Sequence, residues 1–474
     1  MKDAILRGNN NVEDFLGDHQ KVTDEQHIIK IIMEFTVKDI LKMEVALAFG
    51  CTEPVAIALG AAAAASILPK GEFDTIEIWI DPNIYKNGMA VTIAGSGNMQ
   101  GLDTASALGA FGGDPCRGLQ VLASLNDTAI KEATRFLDAG KVKVNLREET
   151  GLYVQTKITA GTEVAESLIV DLHDNIVSLK LNGNVVHDSP LISESAQNGS
   201  IHPLAELEAW MMELTLEDII DLTDDLDDDD LTFIEEGVTH NLALAEHGLK
   251  YGTGLGIGKA IDRLLKQKLM VKDMATSAKR LTSAAADARM GGVNLPAMSS
   301  AGSGNHGLTA ILPIWAVKDF IDHDRETVLK AIGLSHLITA YVKAHTGRLS
   351  AVCGCSIAAG AGATTGITYL MGGDARHMEG AIKNILEDLA GVICDGAKAG
   401  CAIKLNTAAG SAVQAALLSL QGVNVQDTDG IIGNSTQKTI QNMGQLSHQG
   451  MIETDKTILK ILLEKQLSRE KTEK

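Results

Sequence analysis

The chain has 474 residues, enough to bury a large core in two domains or one elaborate one. A net charge of −20 argues against a nucleic-acid partner and against an anionic membrane surface. With aromatics at 3% the core is built from Ala, Leu, Ile, Val and Met, and 47 glycines without a Gly-X-Y period rule out collagen and suit close helix packing.

The first residues carry no apolar targeting stretch, and six cysteines in a chain of this length fit a reducing compartment, so a cytoplasmic protein is expected. There, grouped thiols bind metal or catalyse more often than they form disulfides. Residues 1–26 are polar and read as an extension. His27 to Phe49 carries Ile29, Ile32, Met33, Val37, Ile40 and Leu41 at helical spacing. Gly50 breaks that helix, and Pro54 suits the first turn of the next, an Ala-rich run from Val55 to Leu68. The run is shorter than the ~20 residues that span a bilayer and reads as a core helix. Cys51 therefore falls just before a helix N-terminus, with Glu53 close to its first turn. Unpaired N–H groups and the helix dipole favour an anion there and lower a thiol's pKa, which makes Cys51 a candidate base or nucleophile. The alternative is a small buried cysteine without chemistry. Residues 27–74 are expected to dock on a helical domain.

Residues 75–190 form the strand-bearing unit. Two strands are expected around Asp81-Pro82-Asn83, with Ile76, Ile78 and Ile80 in the first and Val91 and Ile93 in the second. Helices follow at Thr104–Phe111 and Asp127–Leu137, and four strands at Lys141–Leu146, Leu152–Thr159, Glu163–Leu172 and Ile176–Val186. Cys116 lies in a loop without a special role. Ser189–His202 is a polar linker. Residues 203–474 read as a helical domain. Leu204–Ile220 is amphipathic, and the acidic run Asp224–Asp230 lacks the Gly and Glu spacing of a calcium loop and reads as a solvated loop. Leu231–Met270, Thr276–Met290, Thr309–Ile321 and Arg325–Lys343 are helical.

Gly-Ser-Gly-Asn occurs at 95–98 and again at 302–305. Gly302, Gly304 and Gly307 match GxGxxG, but no strand clearly precedes them, so the dinucleotide-binding context is missing. The repeat is either chance in a glycine-rich chain or a pair of donor-rich loops around one small anion. Ser96, Asn98, Ser303 and Asn305 are the candidate substrate contacts. Arg348 is a candidate clamp for a carboxylate, or a surface arginine; His306 and His345 are proton shuttles or structural hydrogen-bonders.

Ala351–Leu405 holds Cys353, Cys355, Cys394 and Cys401. Cys355 leads into a small-residue helix, Ala381–Ile393 is a further helix ending at Cys394, and Cys394–Cys401 spans a glycine-rich turn. Such a turn aims two thiolates at one centre. The spacing fits neither zinc CxxC pairs nor ferredoxin runs, so it indicates a metal or a cluster, or small buried cysteines in a tight core. Lys404–Leu420 is the last long Ala-rich helix, followed by a polar loop at 433–450 and a charged C-terminal helix.

GCTEPVAIALG (50–60), Gly-Ser-Gly-Asn-His-Gly, CGCSIAAGAGATTGI (353–367) and CDGAKAGC (394–401) together resemble the L-cysteine desulfidase family, related to the alpha chain of iron–sulfur L-serine dehydratases, from about residue 35 to 462. The resemblance implies a 4Fe-4S cluster, no pyridoxal phosphate, and β-elimination from a small L-amino acid, L-cysteine giving sulfide, ammonia and pyruvate. It assigns Cys355, Cys394 and Cys401 as ligands of the cluster iron, with Cys353 as substitute for Cys355, and Cys51 as base; Glu53 and His306 are the further candidate catalytic residues from their places in the sequence. Two stretches depart from the family: the long extension before His27 and Gly433–Thr439, less acidic than expected. L-Serine is the alternative substrate. A non-enzymatic metal or redox sensor is the rival of another class, but a sensor does not need the separate GCTEP thiol. The expected fold is α+β, a large Ala/Gly-rich helical domain carrying the cysteines plus a smaller strand-containing domain. A homodimer is expected from the frequency of such assemblies.

Overall fold

The computed structural model describes residues 35–472 apart from positions 70, 150, 199 and 349; the extension at 1–26 and the first turns expected after His27 lie outside the described residues. Helix α1 (Val37–Glu44) starts with a capping box of Thr36 and Asp39 and buries Val37, Ile40 and Leu41. It ends five residues earlier than its spacing suggests. Val45 is extended, and β1 (Leu47–Ala48) pairs antiparallel with a second short strand at Ala297–Met298. The backbone at Ala46 is tied there too, its carbonyl accepting from Ser299 N at 2.8 Å and Ser299 Oγ at 2.7 Å.

Gly50, at φ +87°, turns the chain into α2 (Thr52–Ser66). Ala, Leu, Ile and Val on every side of α2 leave no face for water, so it is buried all round. It is the central helix of the strand unit and packs in that core, whereas Val37, Ile40 and Leu41 of α1 pack in the helical core, where residues 27–74 were expected to dock. Its first partner is α4 (Leu102–Gly112), where a Cβ on Gly109 would stand 2.2 Å from the Ala58 carbonyl oxygen. The sheet lies on its other side, and Ser167 Oγ donates to Gly60 O at 2.7 Å.

The sheet runs β3-β2-β4-β5-β6-β7, with β2 (Thr75–Ile80) parallel to β3 (Val142–Leu146) and antiparallel to β4 (Tyr153–Ala160); β5 (Glu163–Val170), β6 (Ile176–Leu181) and β7 (Asn184–Val185) continue antiparallel. Two expectations change. The strand expected at Val91–Ile93 is absent, because Asp81 caps the N–H groups of Asn83 and Ile84 and Pro82 sits at N1, so α3 (Pro82–Gly88) follows β2. The strand expected through Val186 folds back at Asn182-Gly183, both at positive φ. Helix α5 (Asp127–Asp138) completes this unit.

The second core is helical. The single helix expected at Leu204–Ile220 divides into α6 (Pro203–Met211) and α7 (Leu216–Asp224), because Thr215 forms a capping box with Asp218. The acidic run opens α8 (Asp228–Tyr251) instead of forming a loop, with Asp227 capping and Lys38 paired to it at 2.5 Å. Helices α9 (Ile257–Lys266), α10 (Met274–Met290), α11 (Gly304–Val317), α12 (Arg325–Thr346), α13 (Gly354–Leu370), α14 (Ala375–Leu389) and α15 (Cys401–Leu420) follow, the strand at Ala297–Met298 (β8) lying between α10 and α11. Small residues bring α12 and α13 together: a Cβ on Gly362 would stand 2.4 Å from Ser335 O. The loop expected at 433–450 contains α16 (Thr436–Gln445), which Ser435 caps. Helix α17 (Ile452–Thr472) leaves the helical domain to which residues 203–474 were assigned. Its Leu459 and Leu463 pack on the strand unit, and Lys86 pairs with Asp455 at 2.5 Å.

Candidate active site

Four helices begin at the wall of one cavity of about 90 Å³, which is lined by Cys51 and Thr52, by Ser303, by Cys353 and Gly354, and by Cys401. The N-caps are Cys51 for α2, Ser303 for α11, Cys353 for α13 and Gly400 for α15, and none of these side chains bonds its helix. Thr36, Asp227, Asp324 and Asp374 do cap helices elsewhere. At α2, α11 and α13 the uncapped ends leave first-turn N–H groups and positive dipole ends at the cavity, whereas at α15 the N–H groups of Cys401, Ala402 and Ile403 donate to the carbonyls of Lys398, Ala399 and Gly400.

The cysteine segments lie side by side, with Cys353 N donating to Val392 O at 2.9 Å and Cys394 N to Ala351 O at 2.6 Å. Gly396 turns the chain between Cys394 and Cys401 at φ +94°, where a Cβ would stand 2.2 Å from Lys86 O. Cys401 Sγ points to Gly396 O at 3.7 Å and Cys394 Sγ to Asn87 Oδ1 at 3.9 Å. Cys51 arrives from the other domain and packs with Val91 and Met290, against Ala397 and Cys401. All six cysteines are free thiols, and Cys116 is exposed outside this group.

Burial dominates Cys401 and Cys51. It pushes Cys401 up to about 12 and Cys51 up to about 11, the latter opposed by Arg289 and reinforced by Glu53. The lowered pKa expected for Cys51 from its helix end is thus overridden by desolvation. The hydrogen bond between Cys353 and Cys355 holds Cys353 below the usual thiol range and pushes Cys355 well above it. The charges of Cys353, Cys394 and Cys401 all bear on Cys355, so the four thiols form one electrostatic group.

Most of the residues singled out in the sequence line this cavity: Cys51, Glu53, Ser303, Asn305, His306, Arg348, Cys353, Cys355, Cys394 and Cys401. Glu53 Oε2 accepts from Thr52 Oγ1 at 3.3 Å. His306 Nδ1 is 3.2 Å from Ser300 O, and burial lowers the ring to about 3, which keeps it neutral. Its Nε2 stands over Gly354, 2.4 Å from where a Cβ would be. Arg348 is tied to Glu44 at 2.8 Å and to Glu208 at 2.9 Å. His345 is not among the lining residues, nor are Ser96 and Asn98. Ser96 Oγ closes its own turn on Ile93 O at 2.7 Å, and Asn98 is exposed.

Residues 117–460 match the family described as serine dehydratase alpha chain. The chain belongs to that family. It is 72% identical over 430 residues to a UPF0597 protein of Desulfotalea psychrophila, covering 91% of this chain and 98% of the relative. It is 42% identical over 427 residues to a UPF0597 protein of Clostridioides difficile and 37% identical over 431 residues to one of Geobacter sulfurreducens, in both cases across 90% of this chain and 98% of the relative. In this serine dehydratase alpha chain relative the matched span contains the four clustered cysteines, while Cys51 precedes it. Among the described residues no helix is long and apolar enough to cross a membrane.

Sequence reasoning missed Arg289, His173, Lys343 and Lys404 in the cavity lining. Arg289 ends α10 and reads as an ordinary basic residue in a last turn. His173 sits in the β5–β6 turn with no local motif, although its Nε2 is buried without a partner. Lys343 is buried on α12, and burial lowers it to about 8. Its signal was a lysine at an inward position of a helix otherwise apolar there.

Proposed function

We propose that the protein is an iron–sulfur-dependent, pyridoxal-phosphate-independent lyase that eliminates the β-substituent of a small L-amino acid, with L-cysteine as substrate and sulfide, ammonia and pyruvate as products. The observation that carries this reading is the meeting of Cys51 with the cysteines of two other segments at four uncapped helix ends.

The donor set suits a 4Fe-4S cluster. Cys355, Cys394 and Cys401 would hold it, with Cys353 as the substitute for Cys355. Among the described residues no three His, Cys, Asp or Glu close on a single metal ion. A cubane takes each thiolate on a different iron, so its ligand sulfurs stand further apart than those of a one-ion site. The positive helix ends, Lys404 and Lys343 oppose the cost of burying thiolates. When bound, such a cluster supplies a Lewis-acidic iron for the β-thiol.

The chain's own groups do the rest. Cys51 takes the α-proton; Arg289 and the end of α2 favour its thiolate against burial. Glu53 lies beside it for onward proton transfer. Neutral His306, locked on Ser300 O, presents Nε2 toward the cysteine turn. The β-carbon loses its substituent as hydrogen sulfide, the remaining aminoacrylate takes up water, and ammonia and pyruvate leave. The family's description favours L-serine as a second reading, in which water departs in place of sulfide.

Anaerobically purified protein should be brown, hold about four irons, and release sulfide from L-cysteine. Pyruvate from L-serine alone would move the assignment to the second reading. A colourless protein that resists anaerobic reconstitution and turns over neither substrate would remove both. Cys51→Ser should keep the chromophore and lose turnover; bleaching instead would show that Cys51 is a ligand.

A further inference from the structure

The cavity holds two arginines in opposite electrostatic conditions. Arg348 is neutralised by Glu44 and Glu208. Arg289 is 5% exposed and has no carboxylate partner among the described residues. Its Nη1 donates to Asn305 Oδ1 at 2.9 Å and lies 3.7 Å from Met290 Sδ, its Nη2 donates to Gly50 O at 2.8 Å, and its Nε has no partner. These partners are neutral; Cys51 also hydrogen-bonds the guanidinium and supplies a countercharge only when it is a thiolate. A guanidinium buried without a countercharge is costly, and the chain keeps one beside the group proposed to do the chemistry.

The unused donors have a direction. A Cβ on Gly304 would stand 2.4 Å from Arg289 Nε and 2.9 Å from Nη2, so the Nε–Nη2 edge faces the first residue of α11. Ser303 does not cap that helix, whose first bond inside the turn is Gly307 N to Ser303 O at 3.2 Å. The N–H groups of the first turn and the guanidinium edge thus form one donor-rich corner of the cavity, in which Arg289 Nε is left without an acceptor among the described residues. A fork of parallel N–H groups matches the two oxygens of a carboxylate.

We propose that Arg289, together with the first turn of α11, binds the α-carboxylate of the substrate, and that Arg348 does not. The identity of the ligand as an amino acid rests on the lyase reading above; the site for a carboxylate does not. Anchoring there holds the α-carbon beside Cys51, whose preceding residue Gly50 is bonded to the same guanidinium.

The test compares binding of L-serine and L-serinamide, and of L-cysteine and its ethyl ester, to the full-length protein by calorimetry, beside steady-state turnover. Wild type should prefer each acid over its neutral analogue. Arg289→Gln should weaken acid binding by about a hundredfold, bring the acid-to-amide ratio near one, and act mainly through KM; Arg289→Lys should recover part of the ratio. Arg348→Gln should leave the ratio as in wild type. Asn305→Asp guards against misfolding of the first variant: it places a carboxylate against Nη1, so it should fold with an unchanged or higher Tm and still lose the preference for the acid. A ratio unchanged in Arg289→Gln and Asn305→Asp overturns the proposal, as does a loss confined to iron content or visible spectrum. If wild type turns over neither amino acid, the lyase reading fails by itself, and pyruvate becomes the probe. Pyruvate binding that depends on Arg289 keeps the carboxylate site, and binding that is indifferent to Arg289, or absent, removes it.

Discussion

Gly-Ser-Gly-Asn stands at 95–98 and at 302–305, and the two copies have different fates. The first is a tight turn: Gly95, Gly97 and Asn98 all take positive φ, and Ser96 Oγ bonds Ile93 O and accepts from Met99 N at 3.0 Å. The second spends only Gly302 on a positive φ, then starts α11, with Asn305 held by Arg289. Gly95 approaches Asn294, and Gly292 approaches Thr92, so the first copy leans on the turn that ends α10, the helix that delivers Arg289 to the second. Four residues can encode a donor-rich turn, but what the donors face is set by the surrounding elements.

That contrast can be broken in graded steps. The largest effect is expected from Gly304→Ala, whose Cβ would run into the pinned guanidinium of Arg289; a loss of about 3 kcal/mol in urea unfolding, with loss of turnover, is expected. The second loop is also held from below by His336, Nδ1 lying 3.0 Å from Ser300 Oγ, and burial lowers this ring to about 4. Its folded pKa lies below the unfolded value near 6.5, so the unfolded chain binds the proton first. Stability should therefore be complete above pH 6.5 and fall as pH drops towards 4, by on the order of 2–3 kcal/mol from this group. His336→Gln should flatten that slope in pH-dependent unfolding. An equal slope in the variant would assign the acid lability elsewhere.

Smaller effects separate the two asparagines. Asn305→Ala removes the acceptor of a buried guanidinium and should cost about 2 kcal/mol by thermal or urea unfolding, whereas Asn98→Ala touches an exposed turn and should stay within about 1 kcal/mol. Least of all, Gly97→Ala meets no atom within 4 Å and should cost only the left-handed conformation, about 1 kcal/mol, without changing turnover. Equal responses at the two loops would mean that the second has no special place in the site.

The sequence by itself determined the α+β class, the core helix behind Cys51, most strands of the sheet and the grouping of the four cysteines. Each is written locally: Gly50 and Pro54 bracket a helix start, alternation marks β2, β4 and β5, and small residues mark α13. Tertiary structure alone decided what depends on residues far apart. It placed α2 under the sheet, because a helix apolar on every side needs cover from both the sheet and α4. It kept Val91 and Ile93 out of the sheet, because Asp81 and Pro82 start α3. It gathered His173, Lys343 and Arg289 from three elements without a motif. It also set the two arginines apart: Arg348 meets Glu44 and Glu208, while Arg289, unremarked in the sequence, meets no carboxylate among the described residues. A side chain's countercharge is a property of its neighbours in space, and no spacing along the chain records it.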